Sequence, residues 1–212
     1  MNLLNKSPRF TALAAAVASF AIIGLTAPAA NAGVLVKSAT NCSSSVATQP
    51  FKRWLDYSSY VPAPGGSLES GAGSWSLSGA SLVSGNESYF VSGSGDSHSL
   101  ALPPGSSATT GTICVGLSRP TLRFFARSSS TLTLSSLAVE VLFENSLGGV
   151  VSLPIGVVTP NSKWQPSLPM PILANLLPLL PGDQTPVAFR FIPIGGASWW
   201  IDDIYVDPKS RS

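Results

Sequence analysis

The chain has 212 residues, of which 12 are basic and 10 acidic, and charged residues make up only 10% of it. A chain this poor in charge has no electrostatic footprint for nucleic acid or for an anionic membrane surface. Its 18 prolines and 19 glycines fall at short intervals, which excludes a long-helical or coiled-coil protein.

The first element is a leader. Lys6 and Arg9 precede an uncharged apolar run over 10–25, Pro28 breaks the run, and Ala30-Asn31-Ala32 forms a small-x-small site. This pattern predicts a Sec-type signal peptide over 1–32, cut after Ala32. The run is shorter than the roughly 20 residues that a spanning helix needs. The mature chain starts at Gly33 and loses Lys6 and Arg9, leaving ten basic and ten acidic residues and a formal charge of zero. It is expected outside the cell, free or associated with the surface, with no membrane span. Its ~180 residues are enough to bury a core as one domain.

Residues 33–64 read as an N-terminal extension. They hold Cys42 and the cluster Phe51, Trp54, Leu55 and Tyr57, too apolar for a free tail, so the segment is expected to pack on the main domain. The only other cysteine is Cys114. In an exported protein an even pair predicts one disulfide, Cys42 to Cys114. The single histidine, His98, supports neither a thiol-rich metal site nor a Cys–His nucleophile.

Pro62, Pro64 and Gly65-Gly66 mark a turn, and the main domain is expected over 65–208. Short β-branched and aromatic runs between Gly, Ser and Pro breaks predict strands at 67–70, 75–83, 88–92, 97–102 and 110–117. Further strands are expected at 121–128, 131–144, 150–158, 185–194 and 198–207. Ten short strands without an internal repeat predict an all-β fold, a two-sheet antiparallel sandwich. In 121–128, Leu122, Phe124 and Ala126 share one face, while Arg123, Phe125 and Arg127 share the other. In 186–192, Val187, Phe189 and Phe191 alternate with Ala188, Arg190 and Ile192. One face of each strand should build the core, and the arginine-bearing face should be partly wet. One helical piece is expected at 172–180, capping an open edge. Residues 209–212 are a short tail.

Asp96-Ser97-His98-Ser99 puts an acid, a hydroxyl and an imidazole together, but neighbours on a strand point to opposite faces, so the run reads as a polar turn. No nucleophile elbow, phosphate loop or His-Glu-x-x-His helix occurs. No carboxylate stands in a context that marks a glycosidase acid or nucleophile. The sequence therefore predicts no catalytic residue, no enzyme and no organic cofactor.

Two kinds of binding residue stand out. Asp202-Asp203, late in the last strand, would meet Glu69 if the first and last strands are neighbours. Three carboxylates with backbone carbonyls suit a structural calcium, a hard ion that takes six to eight oxygens. Glu69, Asp202 and Asp203 are thus the expected metal ligands. The adjacent Trp199 and Trp200 cannot both face the core of a regular strand. The outward one, beside Arg123, Arg127, Arg190 or Tyr89, would form a sugar-stacking platform. Trp199, Trp200, Arg123, Arg127, Arg190 and Tyr89 are the expected ligand-binding set.

Several segments, in order, resemble a known group. Ser67-Leu68-Glu69-Ser70-Gly71 followed by Trp75 resembles the Phe-Glu-x-Gly…Trp opening of jelly-roll carbohydrate-binding modules of families 4, 9 and 22. His98-Ser99-Leu100-Ala101-Leu102, Leu122 to Arg127 and Lys163-Trp164-Gln165 are similar to later elements of that group. Trp200 to Val206 is similar to its Ile-Asp-Asp-Val-x-Val final strand. The flanking text, 51–60, Gly85-Asn86-Glu87 and Val206-Asp207-Pro208, resembles uncharacterised secreted proteins of actinobacteria. The resemblance implies a galactose-binding-domain-like jelly roll. It implies a calcium tying Glu69 to Asp202 or Asp203, and a ligand held by aromatics on the concave face or the loops. The expected function is a secreted, non-catalytic module for a carbohydrate or cell-surface glycan. The alternative is a structural or interaction component of the envelope, marked by a filled concave face and an exposed patch at Leu173, Leu176 and Leu177. No motif fixes the oligomeric state.

Overall fold

Alternation of apolar and polar side chains sets where this chain pairs. A computed structural model describes residues 46–116, 120–132, 134–145, 147–172 and 184–207. The expected leader, Cys42, the patch at Leu173, Leu176 and Leu177, and all but the first residue of the expected helix lie outside the described residues. A 3-10 turn over Lys52–Trp54 precedes thirteen strands: β1 (Val61–Pro62), β2 (Ser76–Ser78), β3 (Ser81–Ser84), β4 (His98–Leu102), β5 (Ser107–Thr109), β6 (Ile113–Gly116), β7 (Thr121–Ser128), β8 (Ser136–Glu144), β9 (Val150–Val158), β10 (Gln165–Pro166), β11 (Met170–Pro171), β12 (Gln184–Ile194) and β13 (Trp199–Asp207). No helix among the described residues is long and apolar enough to cross a membrane.

The strands form two antiparallel sheets. The first runs β10-β7-β13-β4-β3, with β1 beside β13 and β11 beside β7. The second runs β2-β5-β12-β8-β9, with β6 beside β12. The chain crosses from one sheet to the other repeatedly, as in a jelly roll, and the expected all-β sandwich is what it forms. Leu122, Phe124 and Ala126 of β7 and Trp199, Ile201 and Val206 of β13 face Leu137, Val139 and Val141 of β8 and Phe189 and Phe191 of β12 in one core. Phe191 sits between Trp75, stacked at 6.0 Å, and Phe124, edge-on at 4.9 Å. Each such side chain, fully buried, contributes about 1.5–3 kcal/mol.

A second, smaller aromatic cluster lies on the outer face of the first sheet. Phe51 and Tyr60 pack there on Phe125 of β7 and Tyr205 of β13, flanked by Trp54, Tyr89, Val91 and Trp164. Phe51 stacks on Phe125 at 5.5 Å and meets Tyr60 edge-on at 5.0 Å. The segment is held at its base by the pairing of Val61 with Val206 and the bridge between Thr48 and Tyr60. The face expected to be partly wet is therefore dry over Arg123 and Phe125, because aromatic residues of the preceding segment cover it.

Three expected strands differ. Residues 67–70 form a turn, not a strand, because Leu68 takes a left-handed φ of +63° to bury its side chain completely. The expected strand 75–83 splits at Gly79-Ala80 into β2 and β3, one in each sheet. Residues 88–92 form a loop whose Tyr89 and Val91 N–H groups donate to the Glu87 carboxylate instead of to a neighbouring strand. Cys114 lies on β6 opposite Pro186 and is not a free thiol.

One glycine is fixed by close approach. A Cβ on Gly66 would lie 2.5 Å from the carbonyl oxygen of Ile204 and 2.9 Å from that of Ala63. Both atoms are backbone and belong to the contact that joins the turn to β13, where Ala63 N–H donates to Ile204 and Ile204 N–H donates to Gly66. Gly66→Ala is expected to destabilise the fold by about 1–3 kcal/mol, measured by urea denaturation. Gly71→Ala, with open space around the Cβ position, is the comparison for φ strain without a clash. A Gly66→Ala loss no larger than that of Gly71→Ala would refute the steric account.

Candidate functional site

The outer face of the first sheet carries three neighbourhoods: an aromatic row at one end, buried carboxylates in the middle, and a cavity beside the N-terminal segment.

The row follows from strand register. Trp200 of β13 pairs with Arg127 of β7 on one side and with Ala101 of β4 on the other, and Ala101 pairs with Ser81 of β3. Trp164 stands just before Gln165 of β10, which pairs with Ala126. The outward side chains therefore run Arg127, Trp200, Ala101, Ser81 across four strands, with Trp164 beside Arg127. The Arg127 guanidinium lies 4.2 Å from the Trp200 ring centroid and 5.4 Å from that of Trp164. One face of the Trp200 indole is thus turned to β7. On the other side its neighbours in register, Ala101 of β4 and Ser81 of β3, offer only a methyl and a hydroxymethyl group. Trp200 is half-buried and Ser81 exposed, so the row reaches water.

The expected pair divides as alternation requires: Trp200 turns outward, whereas Trp199 is fully buried in the main core. Trp199 is therefore corrected to a core residue. Tyr89 belongs to the same side as Trp200: its hydroxyl donates to the Trp164 carbonyl at 3.1 Å, and its ring meets Trp54 edge-on at 4.8 Å. Arg53 lies over the Tyr89 ring at 5.2 Å. Arg190 is elsewhere, on the outer face of the second sheet, where it is paired with Glu140 and bonded to Ser152. The fold does not bring it to the tryptophans.

Arg123 is 5% exposed and is spent on structure. Its Nη1 donates to Asp56 at 2.6 Å, its Nε donates to the Ser167 carbonyl at 2.9 Å, and its guanidinium lies 4.2 Å from the Phe51 ring centroid. Asp56 also accepts from the Tyr60 hydroxyl and the Ser58 N–H. Burial pushes the Asp56 carboxyl up, but the hydrogen bonds from Tyr60, Ser58 and Arg123 outweigh it and hold it below its usual value. Burial and the Asp56 carboxylate push the Tyr60 phenol up to about 12. An open cavity of about 720 Å³ adjoins this network, with Trp54, Tyr57, Thr121, Leu168 and Asp207 among its walls.

The carboxylates sit between these two regions. Glu87 and Asp202 are completely buried and Asp203 is 1% exposed. Asp202 accepts from the Glu87 N–H at 2.9 Å and the Asp203 N–H at 2.8 Å. Asp203, at a bulge in β13 with φ +51°, accepts from Ser92 through Oδ1, while its Oδ2 is buried without a partner. Asp96 Oδ2 is likewise buried and unpartnered. Burial first, then repulsion from Asp203 and Glu87, pushes Asp202 up to about 8. Burial first, then repulsion from Glu87 and Asp96, pushes Asp203 up to about 7. Burial also raises Glu87.

Glu69 is not turned toward Asp202. It accepts from the backbone N–H groups of Ser97 and His98 at 2.9 and 2.7 Å, and contacts His98 Nδ1 at 3.1 Å. Among the described residues, no three His, Cys, Asp or Glu side chains form a group that could hold a metal ion, so the expected trio Glu69, Asp202 and Asp203 does not converge. The reason is local, since each of Glu69 and Asp202 is satisfied by two backbone amides. Ser97 Oγ also contacts His98 Nδ1, at 3.0 Å. Hydroxyl and acid thus meet the same ring nitrogen, whereas a proton relay needs one on each.

In the sequence Trp164, Ala101 and Glu87 stood out only within family-like text, Asp96 read as part of a polar turn, and Ser81 gave no signal. The small residues carry no chemical signal. Their role comes from lying beside Trp200 in register.

No family model and no curated protein matches the chain. Among solved structures it is similar to TmCBM61 in complex with β-1,4-galactotriose, with 14% identity over 70% of this chain and 99% of that one and a TM-score of 0.43. It is similar to the CBM22-1–GH10 modules of the Clostridium thermocellum endo-1,4-β-D-xylanase 10B complexed with xylohexaose. There the identity is 13% over 66% of this chain and 27% of that one, with a TM-score of 0.47. It is also similar to a xylan-binding domain from CBM 22, with 14% identity over 74% and 99% of the two chains and a TM-score of 0.45. The likeness is one of sandwich architecture.

Proposed function

We propose that the chain is a secreted, non-catalytic binding module that holds a saccharide on the outer face of its first sheet, at Trp200. The observation that carries this reading is the half-buried Trp200 indole, set beside Arg127 on one side and the small residues Ala101 and Ser81 on the other. An aromatic face beside small neighbours suits the C–H face of a pyranose, which stacks on indole while its hydroxyls stay in water. Ser81 and the backbone of the β3 edge supply hydrogen-bond partners for those hydroxyls. Titration of the folded protein with a panel of plant and bacterial oligosaccharides, followed by tryptophan fluorescence, tests it. Saturable binding is expected, and Trp200→Ala is expected to weaken it by at least about tenfold, or 1.4 kcal/mol. The melting temperature should hardly change, since Trp200 is half-buried and outside the core. Binding that survives Trp200→Ala would move the site elsewhere.

The same reading includes a structural calcium, although not on the trio first expected. Asp203 and Asp96 each keep one buried carboxylate oxygen without a partner, and Glu87 adds negative charge beside Asp203. These are two carboxylates and not a three-carboxylate group, so a hard cation here would take most of its six to eight oxygens from backbone carbonyls and water. The ion would neutralise the cluster, and the chain's own residues would fix the bulge of β13 against the loop at 85–97.

A further inference from the structure

We infer that the saccharide held at Trp200 is an acidic one, a polysaccharide bearing uronic-acid carboxylates, with Arg127 as the residue that reads the charge. This rests on the saccharide reading of the same face. Two of the described arginines of the sandwich are matched to carboxylates, Arg123 to Asp56 and Arg190 to Glu140. Arg127 is not. Among the described residues it has no ion pair and no hydrogen bond, and its Nε is shielded from water without a partner. What holds it is the pair of indoles, Trp200 at 4.2 Å and Trp164 at 5.4 Å. Stacking occupies the faces of a guanidinium and leaves its in-plane N–H groups unspent. With Nε shielded, the Nη end is the part that reaches outward. A planar fork with fixed donors fits a carboxylate bidentately, which a lysine in its place would not.

The surroundings have the same sign. Exposed Lys163 precedes Trp164, and exposed Arg53 lies over Tyr89 next to that indole. Asp202 and Asp203, the acids that follow Trp200 on β13, are buried, so they do not face a ligand laid on this surface. A chain of sugars laid across the row would stack one ring on Trp200, beside Ala101 and Ser81. It would then place a neighbouring carboxylate over Arg127.

The test is a titration of the full mature protein with oligogalacturonate, with the same oligosaccharide after reduction of its carboxyl groups to alcohols, and with a sulfated neutral oligosaccharide. Calorimetry at low salt gives the affinities, with Trp200→Ala and Arg127→Leu measured alongside. The expected result is at least about tenfold tighter binding of the uronate than of its reduced form, a preference that Arg127→Leu removes and Trp200→Ala weakens together with all binding. Equal binding of the uronate and the reduced form would overturn the acidic-ligand inference and leave the saccharide reading standing. So would a preference that survives Arg127→Leu, or equally tight binding of the sulfated sugar. No binding of any saccharide by protein with an unchanged melting curve would overturn both. Arg127→Lys guards against a folding artefact: charge retained without the fork should keep the fold and lose most of the preference.

Discussion

In the presence of a chelator, the protein is expected to lose stability as the pH rises from 5 to 8.5. Asp202 and Asp203 are pushed up to about 8 and about 7, against ordinary values near 3.8, and Glu87 moves in the same direction. A carboxyl whose folded pKa is raised keeps its proton in the native state at pH values where the unfolded chain has already released it. The native state then binds more protons than the unfolded one, so unfolding becomes easier as pH rises. The window opens near pH 4, where unfolded aspartate ionises, and closes near pH 8. Asp56 and Glu69 are held below their usual values, so their contribution is complete above about pH 5 and does not mask the fall. Tyr60 and Tyr205, each pushed up to about 12, remain protonated throughout. One pK unit is about 1.4 kcal/mol per group. The two aspartates share one electrostatic environment, so the loss is on the order of a few kcal/mol, or roughly 10 °C in melting temperature.

Calcium should cancel that fall if it is the ion that the cluster takes. Melting curves at pH 5, 7 and 8.5, in chelator and in millimolar calcium, separate the outcomes. A fall with pH in chelator that calcium abolishes supports both the raised carboxyls and the ion. A fall that calcium leaves untouched means that protons alone neutralise the cluster, and the calcium proposal fails. A flat or rising profile in chelator would show that the carboxyls are not raised at all. Asp203→Asn sharpens the experiment. Asparagine tolerates the left-handed φ at this bulge and keeps an acceptor for Ser92, while one negative charge disappears. The variant is expected to be more stable than the parent at pH 8.5 in chelator and to respond less to calcium.

How much of this was legible in the sequence depends on range. Strands 121–128 and 150–158 coincide with β7 and β9 because their signals are local: residues of strand-forming type between Pro120, Gly149 and Pro160. Alternation in β7 placed Leu122, Phe124 and Ala126 in the core. It also showed that Trp199 and Trp200 must part. The residues that went astray depend on distant partners. Leu68 adopts a turn because its side chain fills the core, and 88–92 bends because the Glu87 carboxylate captures two amides that a strand would have paired. Arg123 reads as a wet-face arginine until Asp56, 67 positions earlier, is known to lie against it. The apolar text of Phe51, Trp54 and Tyr57 signalled that the segment packs somewhere. Only the register of β1 on β13 fixes which face it covers, and so which arginine is left to meet a ligand.

That register makes the N-terminal segment a structural part of the sandwich, and Phe51→Ala tests it. Phe51 is fully buried and touches every member of the second cluster. It stacks on Phe125, meets Tyr60 and Tyr205 edge-on, and carries the Arg123 guanidinium on its ring. Truncation removes these contacts and opens a void over β7 and β13 that the stiff strands cannot close, at an expected cost of about 3–5 kcal/mol. It also strips the covering from Arg123, whose pairing with Asp56 depends on the 3-10 turn that Phe51 anchors. The loss should appear first where the segment is thinnest. Lys52 and Arg53 are exposed, so trypsin should cut beside them faster in the variant than in the parent, while the sandwich from β2 onward resists. If the segment were an ornament, Phe51→Ala would cost under about 1 kcal/mol, in the range of a surface substitution, and the cutting rate would not change. A large loss with early cutting at Lys52 and Arg53 places the segment inside the cooperative fold. The outer face left uncovered is then the part beyond that cluster, around Trp200, Ala101 and Ser81.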